Sequence, residues 1–185
     1  FNMRYIGIAA SVLLMIGAFY FMMPATVSSE SLYASHFSTP AETVSEDLDM
    51  LLAGQGFAAK KEELLEIKKG LTAYNAKDYN KAIAVFEAVL AKGGKAFDQN
   101  ELRYLLALSQ MAEGQPKAAL KNLNSLNKLE GFGQQEAVLW YTALAYLKLN
   151  DKVKTKAYLE QLVDSKEFGP AAKDLLKVKA LKNAT

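Results

Sequence analysis

Cysteine is absent from all 185 residues, so a disulfide framework and thiol chemistry are both ruled out. The redox compartment stays open on that ground. Histidine occurs once, at His36 in a serine-rich stretch, so no Ser/His/Asp set can be assembled, and no Cys or His cluster can hold a metal. No glycine-rich phosphate loop follows a strand, because Gly131-Phe132-Gly133 joins two predicted helices. An excess of one charge is also lacking: 22 basic residues face 20 acidic ones, which gives no indication of a nucleic-acid partner. The paired acids Glu62-Glu63 and Glu46-Asp47 stand at helix starts, where capping accounts for them. Nothing here points to an enzyme or a cofactor.

Charge is missing locally as well. From Ile6 to Met23 there is no charged residue, about the 17–25 residues that a membrane span needs. Tyr5 and Tyr20 stand near its ends, as belt aromatics do. The run exceeds a signal-peptide core and no small-x-small cleavage site follows it, so residues 1–24 are predicted to be a transmembrane helix, with a buried core helix as the alternative. Gly7 and Ser11 could form a small-residue packing face within it, or be ordinary small residues of a span. Residues 24–59 contain no Lys or Arg and five acids, while Arg4 precedes the span. This asymmetry predicts a cytoplasmic N-terminus and an external, periplasmic remainder. The chain opens on Phe1 rather than Met, so further residues are expected upstream.

What is present in abundance is apolar material at helical spacing. The composition is 51% apolar, ample for a core. Leu64, Ile67, Leu71 and Tyr74 mark one face of a helix, and Tyr79, Ala82, Ile83, Phe86, Val89 and Leu90 mark another. Between them Asn75-Ala76-Lys77-Asp78 breaks the period, with Asp78 placed to cap the second helix. Ala82 is small where two helices cross, and Phe86 fills the space beyond. The break returns at Gln115 and Asp151, 37 and then 36 residues on. A single helix pair cannot bury its face alone, so a stack of pairs follows.

This spacing, with the small-and-aromatic pattern of Ala82 and Phe86, resembles tetratricopeptide (TPR) repeats over residues 62–165. The resemblance implies an α-solenoid of about three helix pairs (62–94, 98–130 and 134–166), so that with the predicted transmembrane helix before it the fold expected is all-α. A lysine-rich capping helix over 170–182 closes it, with Ala172, Leu175, Leu176 and Val178 inward. Departures from the family pattern are Gln115-Pro116 in place of Asp-Tyr, and Thr155 in place of alanine. Glu66 and Lys69 stand at positions that usually hold large apolar residues, which suggests a first helix shifted by one.

Residues 25–61 are expected to be a linker with a short helix near 42–53. Within it Leu32, Tyr33 and Phe37 are too apolar for a free linker and should dock on the solenoid or a partner. His36 could sense pH or bind a metal, although no second ligand is in reach, or it could simply pack. The order of span, Leu-Tyr-Ala-Ser-x-Phe and repeats is similar to single-span TPR envelope proteins of the Bacteroidota type. Lys152, Lys154 and Lys156 could meet phosphates or form a solvated face.

In this family the first helix of each pair lines the concave face. The first helices contribute Leu64 and Ile67 to that face, and the candidate protein-binding groove is Leu71 and Tyr74; then Tyr104, Leu108 and Met111; then Trp140, Tyr141, Leu144 and Leu147. The alternative is that these residues are core. The function expected is an inner-membrane scaffold that docks a protein or peptide on the periplasmic side, as a subunit of a membrane or secretion complex. The alternative is a transmembrane signalling protein, anti-sigma-like, whose repeats sense a partner.

Overall fold

In a computed structural model of the chain, the structure describes residues 28–40, 61–94, 96–129 and 131–182, which form nine helices and no strand. The predicted span 6–23 and the predicted helix 42–53 lie outside the described residues. No described helix is long and apolar enough to cross a membrane.

The chain reverses at Lys77, Gly114 and Asn150 by one device used three times. Each residue adopts a left-handed backbone, with φ of 61°, 68° and 58°. The residue after it donates its N–H five residues back: Asp78 to Ala73, Gln115 to Gln110 and Asp151 to Tyr146, at 2.8, 2.8 and 2.9 Å. These bonds satisfy the last carbonyls of the helix that is ending. Asp78 and Asp151 then open the next helix, their carboxylates accepting from the Lys81 and Lys154 N–H groups at 3.3 and 3.1 Å. Gln115 makes no such side-chain bond; Pro116 starts that helix, at a position where no N–H is needed.

The turns join α2 (Lys61–Asn75) to α3 (Tyr79–Lys92), α4 (Gln99–Ala112) to α5 (Pro116–Leu126), and α6 (Gln135–Lys148) to α7 (Lys152–Glu160). Each helix packs on its partner, and each second helix packs on the next first helix, so one core runs through all three pairs. Leu64, Ile67, Ala82 and Phe86 are fully buried in the first pair, and Leu105, Leu108 and Leu123 in the second.

The predicted one-residue shift of the first helix does not occur. Gly70, Ala107 and Ala143 are spaced like the turns and are all buried. Glu66 is tolerated because it is only half-buried and pairs with Lys92 at 2.8 Å, while Lys69 reaches solvent. Thr155 occupies the buried site that Ala82 and Ala119 hold in the other pairs. Its hydroxyl donates to the Asp151 carbonyl at 2.8 Å, which removes the cost of burying it.

The C-terminal end is two helices rather than one. α8 (Gly169–Lys177) stops at Val178, which is extended, and α9 (Lys179–Lys182) follows. Both pack on α7, with Ala172, Leu175 and Leu181 buried; Leu176 and Val178 are only half-buried.

The serine-rich stretch is a helix and then an extended strap. α1 (Ser29–His36) is capped by Ser28, whose hydroxyl oxygen accepts from the Ser31 N–H at 3.1 Å. It packs on α6, with Leu32 and Tyr33 buried.

Candidate protein-binding face

The first helices α2, α4 and α6 form the side on which the strap lies. Tyrosine hydroxyls hold it. Tyr33 Oη donates to the Met111 carbonyl at 2.9 Å in a buried contact, and Tyr33 stacks on Phe37 with centroids 5.0 Å apart. In the other direction Tyr141 Oη donates to the Ser38 carbonyl at 2.8 Å, and Tyr74 Oη to the Pro40 carbonyl at 3.0 Å. Thr39 and the Tyr79 hydroxyl share a hydrogen bond at 2.7 Å. At the other end Glu30 pairs with Lys148, Ser29 Oγ donates to Asn150 Oδ1 at 2.8 Å, and the Lys148 ammonium lies 4.7 Å over the Tyr33 ring. One 13-residue segment, 28–40, therefore touches all three helix pairs.

Burial changes the chemistry of these hydroxyls. It pushes Tyr33 well above the usual tyrosine range, helped by the nearby Glu30 carboxylate. It pushes Tyr141 up to about 12, with Glu167 adding to the effect. Both therefore stay protonated donors above the pH at which an ordinary tyrosine ionises. Glu101 is likewise raised by burial, against a hydrogen bond from Gln134 that lowers it.

All nine predicted groove residues lie inside the molecule. Leu71, Leu108, Leu144 and Leu147 have no exposed surface; Tyr74, Tyr104, Met111, Trp140 and Tyr141 keep at most 6%. The leucines are core between helices, because a helix packed on two neighbours and roofed by a strap has little open face left. Tyr104, Trp140 and Tyr141 are the ones that also border open space, in a cavity of about 560 Å³ walled further by Phe168, Ser38 and Pro40. Trp140 stacks on Phe168 at 5.5 Å, and Tyr104 meets Tyr141 edge-on at 6.1 Å. The strap's Ser38 and Pro40 carbonyls were not legible as contact groups, since any residue supplies a carbonyl.

His36 Nδ1 lies 2.9 Å from the Leu32 carbonyl and its ring tilts against Trp140, a packing role. No cluster of metal-binding side chains occurs among the described residues. Lys154 is engaged by Asp151 at 3.1 Å and by the Tyr146 ring at 4.9 Å.

A family model for the tetratricopeptide repeat matches residues 137–165, the third helix pair. The solenoid is TPR-like. TPR units generally serve as protein-interaction modules rather than catalysts, which suits a face that already holds a peptide segment. No curated protein and no solved structure matches the chain.

Proposed function

We propose that this chain is a membrane-anchored TPR scaffold that docks a segment of a protein partner along its concave face. One observation carries the reading: the face binds residues 28–40 through tyrosine hydroxyls aimed at main-chain carbonyls. Contacts to carbonyls recognise a backbone path rather than one sequence, so a partner segment of similar shape can use them. The charge-free run 6–23 supports an anchor, and the flank 24–59 without Lys or Arg supports a periplasmic solenoid. A scaffold held at the membrane would suit a place in a membrane or secretion complex.

The test is a labelled peptide of residues 28–40 added to the full chain. Tyr33→Ala should loosen the strap and let the peptide bind in trans, while the unaltered chain excludes it. A well-folded Tyr33→Ala variant that still takes up no peptide shows that the strap is only part of the fold. A reporter fused after Thr185 tests topology, and cytoplasmic activity of that fusion rejects the periplasmic placement.

A further inference from the structure

We infer that the edge of the solenoid bearing its three left-handed turns rests on anionic lipid headgroups, through Lys77, Lys81, Lys117 and Lys152. The inference rests on the membrane-anchored reading above and adds an orientation to it.

The strap enters at this edge. Ser29 Oγ donates to Asn150 Oδ1 at 2.8 Å and Glu30 pairs with Lys148, so the first residues of α1 are fixed to the third turn. Tyr33, one helical turn further on, reaches the Met111 carbonyl beside the second turn. The charge-free run ends at Met23, six residues before Ser29. Fully extended, that stretch spans at most about 22 Å. In an anchored chain the third turn is therefore the part of the solenoid that the tether holds closest to the bilayer.

Consecutive helices of the stack run antiparallel, so the turns at Lys77, Gly114 and Asn150 share one edge and the connections between pairs share the other. The two edges differ in charge. Within five residues of the three turn positions stand six lysines, Lys77 included, and three acids. All three acids are engaged within the protein: Asp78 and Asp151 cap helices, and Glu113 accepts from Asn80 at 2.9 Å. Lys148 and Lys154 are taken up by Glu30 and Asp151. The ammonium groups of Lys77, Lys81, Lys117 and Lys152 make no hydrogen bond or ion pair among the described residues, and the first three are exposed. The opposite edge, residues 61–66, 92–101, 127–136 and 160–167, carries ten acids and five lysines. Anionic headgroups attract the first edge and repel the second, over a screening length of about 10 Å at 0.1 M salt. With the basic edge down, the face that holds the strap is turned sideways rather than into the lipid, where a partner can reach it.

The chain contains no cysteine, so one introduced cysteine can be labelled alone. Gln115→Cys places a donor dye at the start of α5 on the basic edge, and Lys128→Cys places it just past the end of α5 on the opposite edge; both positions are exposed. Each labelled full chain is reconstituted into vesicles of phosphatidylcholine alone, or of phosphatidylcholine and phosphatidylglycerol in equal parts, with an acceptor dye on a trace of the headgroups. The labels stand about 16 Å apart along α5, so energy transfer from Gln115→Cys should be about twofold the higher in the mixed vesicles. The difference should shrink in phosphatidylcholine alone and at high salt. Changing Lys77, Lys81, Lys117 and Lys152 together to Gln should remove it, with melting curves confirming the fold. Equal transfer from the two labels in mixed vesicles overturns the inference and leaves the anchored reading standing. So does a difference that is undiminished in phosphatidylcholine alone or in the four-lysine variant. Flotation of the chain with mixed vesicles alone rejects the anchor and keeps the lipid contact. Flotation with neither vesicle rejects both.

Discussion

A β-carbon on Gly70 would stand 2.6 Å from Cε1 and 2.9 Å from Cδ1 of Phe86, so the two residues share one volume. The later pairs divide the same space differently. Ala107 and Ala143 stand where Gly70 does, and the smaller Leu123 and Leu159 stand where Phe86 does. Gly70→Ala should therefore destabilise the first pair by about 1–3 kcal/mol through overpacking, despite alanine's better helix propensity. Adding Phe86→Leu recreates the division used by the later pairs. The double variant should lose less than the sum of the single losses in urea denaturation. Additive losses would show that the contact is not shared.

The left-handed turns offer a stabilising change. Lys77 holds a φ of 61° where the second pair uses Gly114. Lys77→Gly should raise stability by up to about 1 kcal/mol, since a non-glycine residue in this region costs about 1–2 kcal/mol and glycine's greater unfolded entropy offsets part of the relief. Gly114→Ala should lower it by a similar amount. Thermal melting of the two variants should move in opposite directions.

Alkaline pH should weaken the strap. Tyr33 and Tyr141 both have folded values above the ordinary tyrosine value of 10.0. Their contribution is intact below that value and is lost as pH rises, because the unfolded chain releases the protons first. For Tyr141, raised to about 12, the loss begins near pH 10 and reaches about 2–3 kcal/mol by pH 12. Melting temperature should fall over this window, and Tyr141→Phe should flatten the fall. An unchanged slope in that variant would refute the assignment.

Tyr33→Phe removes the hydroxyl that reaches the Met111 carbonyl while keeping the ring stack on Phe37. The Met111 carbonyl still accepts from the Gly114 N–H at 3.1 Å, so the loss should be modest, about 1 kcal/mol. Hydrogen exchange in residues 28–40 should speed up more than exchange in α6. Equal acceleration in both would mean that strap and helix open together.

The helix pairs were legible because Leu64, Ile67 and Leu71, and then Ala82 and Phe86, keep a helical period on either side of a capped turn. The strap helix was not. Its two buried residues, Leu32 and Tyr33, are adjacent, and serines fill much of the rest, so no apolar stripe forms. The groove aromatics were legible as important, but groove and core stayed open as alternatives for them. A first helix such as α6 is apolar on nearly every side, and only the strap's path decides which side meets solvent. The break at Val178 was hidden because Leu175, Val178 and Leu181 stand three residues apart, a plausible helical spacing.

The strap also alters how the stack comes apart. A solenoid whose units touch only their neighbours loosens from its ends inward, one pair at a time. Here Tyr74 in the first pair and Asn150 at the last turn hold the same short segment, and Ser29 meets Asn150 across 121 residues of sequence. Fraying of either outer pair therefore costs contacts at the other. The array should therefore unfold in one cooperative step, and releasing the strap should return each end to independent motion.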